Sequence, residues 1–191
     1  MILASQSPRR IDLMKQGGYV CRTIPANIDE SAEPDEEPEA LVERLATSKA
    51  LAVMDRADPN EVVVGADTVV WLDGAVLGKP KDHEDAEAML GRLSGTRHHV
   101  STGVCLAVKD GHGRVSTHSF VDTADVEFYP LEPQEVWSYA QSEEPMDKAG
   151  AYAIQGQGRL FVKGIRGNYD TVVGLPIARV ARELRTFING L

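Results

Sequence analysis

The sequence predicts an α/β protein with a mixed, largely antiparallel twisted sheet and flanking helices. Three observations lead there. Short apolar runs, above all VVVGADTVVW at 62–71, read as strands. Amphipathic stretches with helix-start signals alternate with these runs, as in proteins whose helices cover a sheet. The turn signals Asp73-Gly74 and Asp110-Gly111-His112-Gly113 join neighbouring strands by connections too short for a helical crossover.

Met1 to Ser5 is a short apolar strand. Ser7 suits a helix N-cap and Pro8 the first helical position; Ile11, Leu13 and Met14 supply the apolar face, and Gly17-Gly18 end the helix. Tyr19 to Ile24 reads as a second strand. The acidic stretch from Glu30 to Glu39, with Pro34 and Pro38, is an exposed loop. A longer helix follows from about Glu39 to Ala57, then the strand at 62–72, a hairpin turn and a short return strand. The loop Gly78-Lys79-Pro80-Lys81-Asp82 leads into a helix from about Glu84 to Leu93. His99 to Val108 and Val115 to Phe128 are two long strands. A helix after Pro133, a Gly-rich segment at 147–174 and a terminal helix from Pro176 complete the chain.

With 191 residues, no internal repeat and no long linker, the chain predicts a single domain spanning 1–191, built on one core or two intimately packed lobes. The formal net charge of -9 argues against nucleic acid or an anionic membrane surface as partner, but leaves room for a small anionic ligand in a local positive pocket. No apolar run approaches the roughly 20 residues of a membrane span. MILASQSPRR has no secretory character, so a mature protein starting at residue 1 is expected. Cys21 and Cys105 are isolated, as expected of free thiols in a reducing cytosol.

Several residues stand out chemically. Asp67 interrupts a run that otherwise reads as fully buried, and an ionised carboxylate there needs a cation or strong donors. Backbone donors at a bulge made by Gly65 are one solution; a site with a hard divalent cation is another. Lys49 falls within the apolar arc of Leu41, Val42, Leu45, Ala46 and Val53 at 100° per residue. It either snorkels to solvent or is held inward by an anion such as Asp67 or a phosphate. Ser5, Ser7, Arg9 and Arg10 crowd a helix N-terminus; two arginines there oppose the helix dipole and suit a bound phosphate, or else are solvated surface charges. Lys79 and Lys81 flank Pro80, as loop cations or phosphate contacts. Glu30 is a solvated loop acid or a second metal ligand. Gln155, in a Gly-rich loop, offers the donor and acceptor needed to read a base edge. The histidines show no metal spacing: His98 and His99 point to opposite faces of a strand. Ser5, Ser7 and Ser101 have no His/Asp partners arranged for nucleophilic catalysis, so zinc and acyl-enzyme chemistry are set aside.

LASQSPRR, SKA at 48–50, VGADTVV, GKPKD, LSGTRHHV with STGV, DKAGAYAIQG and GNYDTVVGLP occur in the order found in the Maf family of nucleotide pyrophosphatases. The chain resembles that family over almost its whole length. The resemblance implies two lobes around a central cleft, as in the wider Maf/ITPase-like fold, and a homodimer in the cytoplasm. It also implies hydrolysis of nucleoside triphosphates to a monophosphate and pyrophosphate with a divalent cation, Mg²⁺ or Mn²⁺. On that footing Asp67, Lys49 and Lys79 are catalytic; Ser5, Ser7, Arg10 and Lys81 contact phosphate; Asp67 and Glu30 face the metal.

The family divides by substrate at three positions. The branch acting on dTTP and UTP carries SPRR, GADT and IQG, which correspond here to Arg9, Thr68 and Gln155. The branch acting on 7-methyl-GTP has Trp, Gln and Glu instead. An amide at Gln155 suits the O4/N3–H edge of uracil or thymine. Ala153 departs from the pattern, where Gly is expected. Alternatives within the resemblance are modified pyrimidine triphosphates such as 5-methyl-UTP or pseudo-UTP, and a nucleotide-sensing regulator of cell division or septum formation.

Overall fold

The structure, a computed structural model, describes residues 1–191. In chain order it consists of β1 (Ile2–Leu3), α1 (Pro8–Gln16), β2 (Arg22–Thr23), α2 (Pro38–Leu51), β3 (Val63–Leu72), β4 (Ala75–Leu77) and α3 (His83–Leu93). There follow β5 (Arg97–Lys109), β6 (Val115–Phe128), α4 (Pro133–Ala140), β7 (Val162–Arg166), α5 (Tyr169–Val173) and α6 (Ile177–Asn189). The seven strands form one sheet in the order β2-β1-β3-β5-β6-β7, with β4 paired to β3. Pairing is mixed, as the sequence predicts: β1 is parallel to β2 and β3, whereas β3 with β4 and β6 with β7 are antiparallel. No helix is long and apolar enough to cross a membrane.

The chain forms two compact units, and β3, β5 and β6 each contribute to both. The first comprises Met1–Asp67, Thr102–Asp122 and Gly174–Leu191. Its parallel strands are joined by the crossovers α1 and α2, and Ile2, Ile24, Ala46, Ala50, Val53, Val63 and Cys105 belong to its core. Two glycines admit α2 to the sheet. A Cβ on Gly65 would lie 2.2 Å from the Ala46 carbonyl oxygen, and one on Gly103 2.2 Å from that of Val42. Gly65 therefore serves close helix approach, which answers the question of a bulge.

The second unit comprises Thr68–Ser101 and Thr123–Val173. Asp73 and Gly74 both have positive φ, 53° and 78°, and turn β3 into β4 in two residues. That is the twist a type I′ hairpin requires. The core joins Leu77, Leu90, Leu93, Val126, Phe128, Tyr139, Tyr152 and Phe161.

Several boundaries differ from the sequence reading. The helix expected to run to Ala57 ends at Leu51, and Met54–Arg56 form a separate 3-10 turn that tucks Val53 and Met54 under the sheet. The strand expected over 19–24 pairs only at Arg22–Thr23, because Val20 is 92% exposed at the sheet's edge. Within the Gly-rich segment 147–174 lies an unforeseen strand, β7; its Gly164 gives little apolar alternation to detect.

Candidate active site

In the first unit the chain leaves β1 through Ala4, whose N–H bonds the Val64 carbonyl at 2.8 Å, and enters α1 at Ser7. In α/β sheets the carboxyl ends of parallel strands, where the order reverses, are the usual place for a ligand. Here β1 lies between parallel β2 and β3; Ser5 and Glu30 follow the ends of β1 and β2, and Asp67 lies within β3, just past its parallel pairing with β1 at Val63 and Val64. Ser5 is buried and its hydroxyl accepts the Ser7 N–H at 3.1 Å. Ser7 is the N-cap residue and Pro8 the first helical residue, as predicted, but the Ser7 side chain makes no capping bond. The first N–H groups of α1 thus lack a side-chain cap, which suits an anion. Arg9 and Arg10 are half-buried beside them.

Arg10 is oriented by its Nε–H, which donates to the Gly174 carbonyl at 2.8 Å. Burial lowers its pKa, and the charges of Asp67 and Glu30 oppose that shift. The guanidinium therefore sits in the field of both carboxylates.

Lys49 is 7% exposed and faces inward, which settles the choice left open by its helical position. Ala46 and Ala50 pack at Gly65, and Lys49 lies on the same helix face. Asp67 lies two residues beyond Gly65, on the same strand face. The Lys49 Nζ is consequently 2.5 Å from Asp67 Oδ1 and 2.6 Å from Glu30 Oε1. One ammonium holds two carboxylates. It offsets the burial of Asp67, itself 8% exposed, while the Glu30 side chain stays half open to solvent.

Both carboxylates are oxygen ligands of the kind a hard divalent cation takes. The point on which they converge is the Lys49 ammonium, so a cation would have to use their remaining oxygen capacity and be completed from outside. No group of three or more His, Cys, Asp or Glu side chains assembles to hold a metal. Phosphate and water oxygens would have to supply the rest of the shell, as they commonly do for Mg²⁺.

In the second unit, Thr68 is half-buried, and strand alternation points it to the face opposite Asp67. It does not join the Lys49 cluster. Lys79 and Lys81 are exposed on either side of buried Pro80. Their loop is pinned where the Gly150 N–H donates to the Gly78 carbonyl at 3.1 Å, and where Asp85 Oδ2 accepts the Lys81 N–H at 3.0 Å. Gln155 is exposed near the tip of a turn closed by the Gly156 N–H on the Ala153 carbonyl at 3.0 Å. Ala153 is buried in that turn.

His98 and His99 do point to opposite faces. His98 is fully buried, with Nε2 3.0 Å from the Tyr152 hydroxyl, and burial pulls its pKa down to about 4. His99 stacks on Trp71 at 4.1 Å and pairs with Asp125 at 2.9 Å. Neither belongs to a metal cluster.

A mixed sheet flanked by helices, with parallel strands joined by crossovers, is an arrangement shared with a wider class of α/β proteins. The HAM1 protein from Coxiella burnetii has the same fold: the superposition covers 97% of this chain and 98% of that one, with a TM-score of 0.56 at 11% identity. More specifically, the chain belongs to the Maf-like protein family, which matches residues 1–187. A dTTP/UTP pyrophosphatase of an Anaeromyxobacter species is 50% identical over 185 residues, covering 97% of this chain and 88% of that protein. Proteins of the same name from a Geobacillus species and Bacillus velezensis are 45% and 46% identical, each covered over 96% of its length by 97% and 98% of this chain.

Proposed function

We propose that the chain hydrolyses dTTP and UTP to the nucleoside monophosphate and pyrophosphate, removing unwanted nucleotides from the pool. The observation that carries this is the Lys49 ammonium held between Glu30 and Asp67, a buried carboxylate within β3. Full-length relatives named dTTP/UTP pyrophosphatase support the substrate class.

The chemistry follows from the groups present. A water oxygen forms a bond to the α-phosphorus as the bond from that phosphorus to the α,β-bridging oxygen breaks. The bonding electrons leave with pyrophosphate, and the water's proton passes to the Asp67 carboxylate. Arg9, Arg10, Lys79 and Lys81, with the hydroxyls of Ser5 and Ser7 and the uncapped N–H groups of α1, bind the phosphates and the charge that develops on the leaving group. Mg²⁺ or Mn²⁺ held by Asp67 and Glu30 would supply charge neutralisation on the triphosphate. Gln155 reads the O4/N3–H edge of the pyrimidine; Arg9 and Thr68 complete the selection against 7-methyl-GTP.

The same reading takes residues 1–191 as one catalytic domain, and makes the protein a homodimer of the cytoplasm. The test is pyrophosphate release from a panel of nucleoside triphosphates, 5-methyl-UTP and pseudo-UTP included, with each metal. Asp67→Asn removes the proton acceptor and lowers kcat by at least about 10²-fold, the lower end for general base catalysis. Unchanged turnover in that variant overturns the assignment. Tight binding of UTP with no pyrophosphate released from any nucleotide favours the division-regulator alternative.

A further inference from the structure

The turn that presents Gln155 is held from behind by a side chain the proposed mechanism does not use. Glu144 follows α4, and its carboxylate accepts the Gln157 N–H at Oε2 and the Gly158 N–H at Oε1, both at 3.1 Å. The Tyr139 hydroxyl donates to the same Oε1 at 2.8 Å and accepts the Ala153 N–H at 3.1 Å. One carboxylate and one phenol thereby fix the entry and the exit of residues 153–158. Gln155 lies between.

Two glycines make room for this clamp. A Cβ on Gly156 would lie 2.2 Å from Glu144 Oε1, and one on Gly158 2.9 Å from the Tyr139 hydroxyl oxygen. Gly156 therefore makes room for the Glu144 carboxylate, and Gly158 for the Tyr139 hydroxyl and the Ala153 backbone. Arg159 closes the turn from its other side: its guanidinium donates to the Gln155 and Gly156 carbonyls at 2.5 and 2.8 Å. The backbone of Gln155 is thus bonded, while the residue itself is exposed. Burial disfavours the charge on Glu144, but the amides of Gln157 and Gly158 with the Tyr139 hydroxyl outweigh it and hold the carboxyl below its usual range. Tyr139 is displaced upward, by burial first.

We infer that Glu144 and Tyr139 are positioning residues for base recognition: they hold the 153–158 turn so that the Gln155 carboxamide meets the pyrimidine edge in one orientation. This rests on the proposed reading of Gln155. A pre-organised donor and acceptor binds without the cost of ordering a loop, so loosening the clamp weakens binding and selection and leaves the phosphate chemistry alone.

The experiment compares the full-length Glu144→Gln, Tyr139→Phe and Gln155→Ala proteins and the Glu144→Gln/Gln155→Ala double variant, using UTP and GTP. Glu144→Gln replaces one acceptor oxygen with an N–H₂ group facing a backbone N–H. The expected result is a KM for UTP raised about tenfold with kcat within about twofold, and a UTP-over-GTP preference lowered about tenfold, the scale of one charge-assisted hydrogen bond. Tyr139→Phe shifts KM and preference in the same direction, and carries the test if Glu144→Gln melts below the assay temperature. In the Gln155→Ala background, Glu144→Gln adds nothing further to KM, which a merely structural role would not produce. The positioning role is overturned if Gln155→Ala raises KM while Glu144→Gln and Tyr139→Phe do not, or if Glu144→Gln acts equally in both backgrounds. If Gln155→Ala leaves KM and preference unmoved, the base-reading role of Gln155 fails, and the positioning role with it.

Discussion

Lys49 shows how one side chain sets the character of its surroundings. A lysine in the apolar arc of a helix is costly unless an anion meets it, and here two do, Asp67 at 2.5 Å and Glu30 at 2.6 Å. Removing one partner of a buried pair leaves the other uncompensated, which costs more than the intact pair contributes. Lys49→Met should therefore lower unfolding stability by about 3–5 kcal/mol, the range for stranding a buried charge. The double variant Lys49→Met/Asp67→Asn should recover a large part of that loss. Urea unfolding of the three proteins checks both outcomes, and equal stability of the single and double variants would refute the coupling. The need for a partner at Asp67 was legible in the sequence, because a carboxylate inside VVVGADTVVW demands one. That Lys49 itself fills the role was one of several possibilities, and only the seating of α2 decided it.

At the scale of elements, that seating depends on two small residues. Gly65 and Gly103 lie on neighbouring strands, and each gives the backbone of α2 room that a methyl group would occupy. In Gly65→Ala the nearest obstacles are the Ala46 carbonyl oxygen at 2.2 Å and the Ala50 nitrogen at 2.7 Å, both backbone. The helix itself must shift, so the expected cost is about 1–3 kcal/mol of stability, as for overpacked cores. Lys49 rides on that helix, so turnover falls as well. Recovered stability without recovered turnover at a second-site suppressor would show that the helix position, and not stability alone, matters for the site; unchanged melting and turnover in Gly65→Ala would show that α2 is not seated this way. The element inventory was largely legible, since caps, hairpin turns and apolar periodicity are local signals. The end of α2 at Leu51 and the strand β7 were not. The first is decided by burial of Val53 and Met54, and the second by its ladder on β6 from Asp125–Arg166 to Phe128–Val162.

At the scale of the whole molecule, pH dependence carries a prediction. His98 has a folded pKa near 4, depressed by burial first and by His99 second, against 6.5 when unexposed surroundings are absent. Below pH 6.5 the unfolded chain binds a proton that the folded protein refuses, so the unfolded state gains as pH falls. His98 is thus neutral with respect to pH above 6.5. From pH 6.5 down to about 4 it removes up to about 1.4 kcal/mol of stability per unit, and it stops contributing to the slope below that. Glu36 and Glu61, each drawn down to about 2 chiefly by a hydrogen-bonded arginine, act lower: what they contribute above pH 4.5 is lost as pH falls towards 2. His98→Gln should therefore flatten the stability curve between pH 6.5 and 4 and leave the lower limb in place. Urea midpoints taken across that range decide it, and parallel curves for the two proteins would refute the assignment.

By itself the sequence determined the alternation of strands and helices, the two-residue hairpin at Asp73-Gly74, the start of α1 at Ser7-Pro8, the charged residues worth watching and, through ordered motifs, the family. Each of these is written in residues close together in the chain, where turn chemistry, capping and periodicity act. Tertiary structure alone decided that Lys49 serves two carboxylates, that Arg10 leans on the Gly174 carbonyl, and that Glu144 and Tyr139 stand behind the turn of Gln155. Those partners are 18 residues apart for Lys49 with Asp67 and 164 for Arg10 with Gly174. No local propensity links residues so distant; burial makes an unpaired charge or amide expensive, and the fold that pairs them is the one that avoids that cost.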